Sequence, residues 1–250
     1  MLYTVEIPLH LPTGMQARPD MGSLLQGAIM EIIDDDAAYK LHRMQLRPYT
    51  QCVYYDKKRQ QSFWRLTSIH LYGYTAVIQP LLAYSKPIYL RQRRVTISLG
   101  MPQVEQLPYK ALADITFQGP YGPRGVDITF LTPTSFKHNG AYDILPDIGR
   151  CYGSLLAKWN CFASEISLEQ DGLAEELASQ CIVTKFHLDS QPFGVEGIAI
   201  QGFVGTMRLH FRGNDMIRRL QGLLWNFAPF SGIGIKNAMG MGAVATRLRQ

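Results

Sequence analysis

Apolar patterning gives the same order of predicted elements twice along the 250-residue chain. In the first half it indicates strand, helix, strand, strand, helix, strand, because alternating and helically spaced apolar residues succeed one another. These segments are 2–9, 22–33, 51–55, 63–69, 71–84 and 93–99. The second half repeats the order in 115–117 with 128–131, 147–163, 181–188, 197–211, 215–227 and 243–248. We therefore predict an α+β fold of two tandem ferredoxin-like (βαββαβ, RRM-like) modules with antiparallel sheets covered by helices on one face.

The boundary between the two modules is predicted from turn-forming residues. Prolines and glycines cluster between residues 101 and 125. Such residues mark connections rather than the interiors of helices and strands. We place an N-terminal module at residues 1–112 and a C-terminal module at residues 113–250.

A glycine-rich segment comes just before the last predicted strand. Two Gly-x-Gly pairs, Gly232 with Gly234 and Gly240 with Gly242, bracket Lys236. Glycine permits positive φ and close backbone approach, and successive free N–H groups can bind an anion. The segment therefore predicts either a phosphate-binding loop or a tight, buried turn. It is neither a Walker loop nor a dinucleotide fingerprint, because no Gly-Lys-Ser/Thr occurs and its glycines follow a predicted helix rather than open one.

Charge is concentrated in two basic segments of a chain whose net charge is +5. Residues 40–94 contain 11 Lys or Arg and one acidic residue, and residues 205–250 contain seven and one. The remainder therefore carries a net charge of −11. This distribution predicts a polyanionic partner, and the alternative is two solvated basic faces without one.

The composition favours a folded protein without a membrane span or a structural metal. Hydrophobic residues make up 46% of the chain. No apolar run approaches the roughly 18 residues of a membrane span, and no signal-peptide pattern is present, so we expect a soluble, cytoplasmic protein. The four cysteines lack zinc-ligand spacing and are expected to be free, buried thiols. They are Cys52, Cys151, Cys161 and Cys181.

Three stretches together carry a resemblance to a known family. They are 203–206 with 227–234 and 239–242; 132–137 with 145–147 and the Leu-Leu-x-x-Trp-Asn helix at 155–160; and Leu-His at 41–42 before Arg-Pro-Tyr-Thr at 47–50. With these motifs the chain resembles the repeat-processing endoribonucleases of the sixth CRISPR-associated protein family, in the RAMP superfamily. The similarity spans nearly the whole chain.

The resemblance implies a metal-independent reaction without a cofactor. In the family, the 2′-hydroxyl attacks the adjacent phosphate and leaves a 2′,3′-cyclic phosphate and a 5′-hydroxyl. The implied partner is CRISPR precursor RNA, cut within its repeat to give guide crRNA and bound as a stem-loop or a single strand. Other CRISPR effector subunits are further candidate partners, and the protein is expected to be a monomer or a homodimer. The alternative is a non-catalytic RAMP subunit that holds guide RNA in an effector complex.

Candidate catalytic residues follow from this resemblance and from the chemistry of proton transfer. Histidine titrates near neutral pH, and His42 matches the family's Leu-His position among basic neighbours. Arg47 occupies the place of the family's lysine, where arginine can stabilise the phosphorane but does not readily donate a proton. Tyr39 lies at i−3 from His42 and is the candidate for the family's helical tyrosine. His10 is the rival histidine, while His70, His138, His187 and His210 are assigned no catalytic role.

Candidate RNA contacts are taken from the glycine-rich segment and from two arginine clusters. Each alone has the alternative of a solvated surface charge, or of packing for the glycines. Arginine and lysine bind phosphate, and arginine also stacks on unpaired bases. The candidates are Lys236, Gly232, Gly234, Gly240 and Gly242, then Arg218 and Arg219 on the preceding helix, then Arg91, Arg93 and Arg94.

Overall fold

The computed structural model of the protein describes residues 1–164, 166–195 and 197–250. The elements of its first half are β1 (Leu2–His10), α1 (Met21–Ile32), α2 (Asp35–Arg43), β2 (Tyr49–Asp56), β3 (Gln61–Ser68), α3 (Leu71–Gly73), a π-helical turn (Tyr74–Ile78), α4 (Gln79–Ala83), β4 (Ile88–Leu90), a 3-10 turn (Arg91–Arg93), β5 (Val95–Leu99) and β6 (Gln103–Leu107). These strands form the first sheet in the order β2-β3-β1-β5-β4, and β6 also pairs with β1. All of these pairs are antiparallel. The path β2-β3-β1-β5 is that of a ferredoxin-like module.

The second sheet repeats this topology. The elements of the second half are α5 (Tyr109–Phe117), β7 (Gly125–Thr134), the small hairpin β8 (Phe136–His138) and β9 (Ala141–Asp143), α6 (Ile148–Phe162), α7 (Leu173–Ser179), β10 (Cys181–Val195), β11 (Ile198–Phe211), α8 (Asp215–Ser231), a 3-10 turn (Asn237–Met239) and β12 (Val244–Arg249). The strand order of this sheet is β10-β11-β7-β12, again with antiparallel pairs. The predicted tandem ferredoxin-like fold is therefore confirmed.

Predicted elements differ from the structure in type at 115–117 and in length at 128–131, 181–188 and 215–227. Residues 115–117, predicted as strand, belong to α5, which begins after Pro108 and buries Leu112 and Thr116 on one face. A three-residue apolar run is too short to distinguish strand from helix. The helix predicted at 215–227 continues through Pro229 to Ser231. The predicted module boundary at 112 falls inside α5, and this division of the chain stays a prediction.

The segment between α8 and β12, residues 232–243, is named here the glycine loop and lies between the two halves. Ala238 belongs to the apolar cluster of the first sheet, and Ile233 belongs to that of the second. Met239 and Met241 pack with a third cluster, formed by Phe193 and Val195 at the end of β10 and Ile200 near the start of β11. None of the helices in the described ranges combines the length and apolar character needed to cross a bilayer.

Candidate functional site

A cleft of about 370 Å³ separates the connection between α2 and β2 from the glycine loop. Three cationic side chains line it, those of Arg47, Lys158 and Lys236. No lining residue, all of them in the described part of the chain, is acidic. A cleft lined by one sign of charge concentrates ions of the opposite sign. The complete lining is Met44, Gln45, Leu46, Arg47, Tyr49, Thr50, Lys158, Ser231, Gly234, Ile235, Lys236, Asn237 and Ala238.

His42 lies in the last turn of α2, two residues before Met44, which lines this cleft. The N-cap of the helix is Asp34, whose carboxylate accepts hydrogen bonds from the backbone N–H groups of Asp36 and Ala37. The His42 side chain is exposed and is not among the residues that line the cleft. Its catalytic role stays a prediction.

Arg47 and Tyr39 differ in their relation to the cleft. Arg47 is half-buried, lines the cleft and donates from Nε to the backbone oxygen of Leu41 at 3.2 Å. Tyr39 is 62% exposed, and its hydroxyl accepts a hydrogen bond from Nη1 of Arg43 at 2.9 Å. Because Tyr39 is not a lining residue, only Arg47 of this pair faces the cleft in the structure.

The four glycines of the glycine loop allow tight backbone packing. All four have positive φ. A Cβ atom added at Gly234 would lie 2.3 Å from the Ser135 carbonyl oxygen, and one at Gly242 would lie 2.0 Å from that of Ile233. Any larger residue would therefore displace backbone at these two positions.

The backbone N–H groups of the same glycines all donate within the protein. The acceptors are Ala228 O for Gly232, Ser154 Oγ for Gly234, Asn237 O for Gly240 and Pro133 O for Gly242. These donors are therefore not free to bind phosphate. The geometry is that of the tight, buried turn, and it does not support direct RNA contact by the glycine N–H groups. Lys236, exposed and with a φ of 55°, is the outward-facing cation of the loop.

Lys158 and Asn237 form a buried polar pair at the glycine loop that the sequence did not reveal. Lys158 on α6 is 5% exposed and donates three hydrogen bonds from Nζ, one of them to Asn237 Oδ1 at 2.6 Å. Burial lowers the pKa of the Lys158 ammonium group to about 7. The available signal was a lysine directly before Trp159 on the apolar face of a predicted helix, where Lys is rarely found.

Tyr49 and Gln26 form a second buried polar pair that the sequence did not reveal. The Tyr49 hydroxyl and the Gln26 amide are joined by hydrogen bonds of 2.9 and 3.1 Å between β2 and α1. Tyr49 is 1% exposed, and burial raises the pKa of its hydroxyl. Tyr49 thus lines the cleft as a neutral group near neutral pH.

The arginines predicted on α8 lie at the far end of that helix from the glycine loop. Thirteen residues separate Arg218 from Ser231, which corresponds to about 20 Å along an α-helix. Arg219 is 9% exposed and donates to Asp215 and to the backbone oxygens of residues 116, 117 and 119. The guanidinium thus connects α8 to the end of α5, and the predicted RNA contact of Arg219 stays a prediction. Arg218 is paired with Asp215 at 3.1 Å and shares no surface with the cleft lining.

The second predicted arginine cluster forms a turn on the first module. Arg93 is paired with Asp20 at 2.5 Å, whereas Arg91 is 83% exposed at its side chain and lies 4.0 Å from Glu31. Arg94 adopts a left-handed backbone conformation and is exposed. None of the three lines the cleft, so any RNA contact there would be a separate one.

The rival histidine and the cysteines do not converge on the cleft. His10 lines a different, polar pocket with Tyr55 and Gln61. All four cysteines are free, as predicted, but only Cys52 and Cys151 are buried, whereas Cys161 is exposed and Cys181 is half-buried. Across residues 1–164, 166–195 and 197–250 no group of three His, Cys, Asp or Glu side chains is arranged to hold a metal ion. The absence of a metal requirement stays a prediction.

Comparison with known proteins agrees with this architecture. Residues 128–244 match the family model described as "CRISPR-associated endoribonuclease Cas6". A protein of that name from Mycobacterium tuberculosis (strain CDC 1551 / Oshkosh) is 30% identical over 244 residues, covering 96% of this chain and 76% of its own. Another from Streptococcus thermophilus is 26% identical, covering 92% of this chain and 93% of its own.

A solved structure shows the same fold. The structure described as "Cas6 (TTHB231) product complex", a protein of Thermus thermophilus, superimposes with a TM-score of 0.76 at 22% identity. The alignment covers 99% of this chain and 100% of that one. The family model and the two relatives confirm the predicted enzyme class, endoribonuclease. The chain belongs to the Cas6 family of CRISPR-associated endoribonucleases.

Proposed function

We propose that this protein cleaves CRISPR precursor RNA within its repeats, without a metal ion, and so produces guide crRNA. The observation that carries the proposal is a cleft that is lined by three basic residues, Arg47, Lys158 and Lys236, and by no acidic residue. The exposed His42 lies two residues before Met44, which also lines the cleft. A phosphate backbone has the charge that such a cleft attracts. Family membership makes the repeat of a CRISPR transcript the RNA to test first.

The reaction needs proton transfer and stabilisation of a dianionic phosphorane. His42 is assigned the proton transfer, because imidazole is the side chain suited to proton transfer near neutral pH and His42 is exposed at the end of α2. Attack of the 2′-oxygen on phosphorus would break the bond to the 5′-oxygen, leaving a 2′,3′-cyclic phosphate and a 5′-hydroxyl. One proton leaves the 2′-hydroxyl and one is delivered to the leaving 5′-oxygen.

Arg47 is assigned the stabilisation of the phosphorane. Its Nε is held by Leu41 O, so the two terminal nitrogens remain to bind phosphate oxygens. Lys236, across the cleft, is assigned contact with the RNA backbone. Tyr39 is retained as a third candidate, because an RNA strand that contacts His42 would lie near the exposed face of α2, which carries Tyr39.

The decisive experiment incubates the purified protein with a labelled repeat RNA in the presence and absence of EDTA. We expect one cleavage site, unchanged by EDTA, with a 2′,3′-cyclic phosphate on the upstream product. A matched RNA with a single 2′-deoxy nucleotide before the scissile phosphate should bind but remain intact. Binding of both RNAs without cleavage of either would favour the non-catalytic RAMP subunit. Cleavage of the deoxy RNA would exclude the proposed mechanism.

A further inference from the structure

Lys158 is a buried cation that forms no ion pair with any Asp or Glu of the described residues. Its Nζ donates to Ser231 O at 3.0 Å, Gly232 O at 2.8 Å and Asn237 Oδ1 at 2.6 Å. All three protons of the ammonium group are thereby used. Burying a charge without a counter-ion is costly, and an apolar side chain of similar length would avoid that cost. A lysine here therefore calls for a role that an apolar residue does not fill.

Two acceptors of Lys158 lie where α8 ends and the glycine loop begins. Carbonyl groups at a helix C-terminus lack intrahelical partners and form the negative end of the helix dipole. Lys158 binds the last carbonyl of α8, Ser231 O, and the first of the glycine loop, Gly232 O. Arg65 and Thr67 on β3 donate to the two helix carbonyls before Ser231, Pro229 O and Phe230 O. The start of the glycine loop is thus fixed by side chains from both modules.

Asn237 extends this contact into the glycine loop itself. While its Oδ1 accepts from Lys158, its Nδ2 donates to Ile233 O and Met241 O, each at 3.0 Å. These two bonds close the loop across its neck. The neighbouring residue, Lys236, is the exposed cation that faces the cleft.

The opposite side of the loop is held from the first module. Gln51 on β2 donates from Nε2 to Ala238 O at 3.1 Å and to Gly22 O at 2.6 Å. Its Oε1 accepts from Trp64 Nε1 at 2.7 Å, so the amide is fixed in orientation. Lys236 therefore sits between an anchor from each module, with Lys158 the charged one.

We propose that Lys158 is a positioning residue for RNA binding, whose ammonium group holds the glycine loop in the conformation that presents Lys236 to the RNA backbone. The proposal rests on the proposed function for its RNA partner only. The hydrogen bonds from Lys158 to Ser231, Gly232 and Asn237, named here the clamp, exist without RNA. A role in positioning, rather than in proton transfer, follows because all three Nζ protons are already donated within the protein.

The test compares Lys158→Met with Lys110→Met, which removes the same charge from an exposed site on α5. Affinity is measured with the repeat RNA carrying the 2′-deoxy block, and the cleavage rate with saturating unmodified RNA. We expect Lys158→Met to raise Kd a fewfold, by no more than Lys236→Ala does, while the cleavage rate of bound RNA changes by less than twofold. Lys158→Arg should restore part of the affinity, and Lys110→Met should change neither quantity.

A double-mutant cycle with Lys236→Ala identifies the route of the effect. If Lys158 acts by positioning Lys236, the double variant should bind RNA no more weakly than Lys158→Met alone. Fully additive losses, or an unchanged Kd in folded Lys158→Met protein, would overturn the proposal. Should Lys158→Met unfold, Lys158→Gln, which keeps two amide donors, is measured in the same way.

Hydrogen exchange without RNA separates this proposal from the proposed function. In Lys158→Met, amides of residues 232–243 should exchange at least tenfold faster while those of the β2–β3 hairpin keep their wild-type rates. If wild-type protein fails to bind repeat RNA, the proposed function falls, yet faster loop exchange would still support the clamp. Unchanged loop exchange would remove the clamp even if the RNA is cleaved as proposed.

Discussion

The two walls of the cleft are built in opposite ways. On the glycine-loop wall, every glycine N–H is bonded internally, and buried donors from both modules fix the backbone. On the wall formed by the connection between α2 and β2, Arg47 is held through one hydrogen bond to Leu41. His42, just before this connection, is exposed. Many buried contacts resist local opening, and few such contacts permit it. We infer that the first wall sets the position of the RNA, whereas the second brings adjustable chemical groups to it.

Removing the imidazole of His42 should have the largest effect on the cleavage rate and should separate the cleavage rate from the affinity for RNA. Positioned general acid–base catalysis contributes roughly 10²- to 10⁴-fold in rate, so we expect His42→Ala to lower the cleavage rate by about 10³-fold. The Kd for repeat RNA should stay within threefold, because His42 is outside the cleft lining. Single-turnover cleavage and filter binding measure the two quantities.

His10→Ala is the matched control for that variant, because His10 is the rival histidine and lines a different pocket. It should leave the cleavage rate within twofold of wild type. Loss of cleavage in His10→Ala together with full activity of His42→Ala would reverse the assignment.

Adding one methyl group to the loop wall should test its rigidity. In Gly242→Ala the new Cβ would lie 2.0 Å from a backbone oxygen at a φ of 69°. We expect at least about 3 kcal/mol lower free energy of unfolding, from strain and displaced backbone. Gly153→Ala on α6, where nothing lies within 4 Å, should instead be neutral or stabilising by up to about 1 kcal/mol. Urea unfolding measures both, and equal stabilities would show that the loop wall adapts.

Arg47 tests how much of the chemistry depends on the adjustable wall. Arg47→Ala should lower the cleavage rate of bound RNA roughly 10- to 100-fold, because a donor to the transition-state charge is lost. Arg47→Lys should lose less, since it keeps the charge but not the paired donors. The comparison is made at saturating RNA. A pure increase in Kd with unchanged rate would instead place Arg47 with the binding wall.

The fold was predictable because its main helices and strands have a regular spacing of apolar residues in the local sequence. The apolar stripe of α8 and the alternation of β1 each follow from a regular period that survives in the structure. The segment 115–117 failed because its apolar residues cover less than one helical turn, and only packing on α8 decides the outcome. A short run carries no period of its own.

The candidate site was less predictable because it depends on contacts between distant segments. Lys158 and Asn237 are 79 positions apart, and Gln51 and Ala238 are 187 apart. No local pattern reports such pairs. The same reason explains why the burial of Arg219 could not be predicted, since a count of charges does not show that its guanidinium contacts the end of α5.

Lys236 should give the smallest effect and the sharpest distinction between its two possible roles. One phosphate contact contributes about one unit to the slope of log Kd against log salt, so Lys236→Ala should weaken binding a fewfold and lower that slope by about one. Lys110→Ala, with its side chain 75% exposed on α5, is the control and should leave the slope unchanged. The cleavage rate of bound RNA should be unaffected, because Lys236 stands on the wall opposite Arg47. If the slope is unchanged while the rate falls, Lys236 acts on the transition state, and the separation of the two walls into binding and chemistry is incorrect.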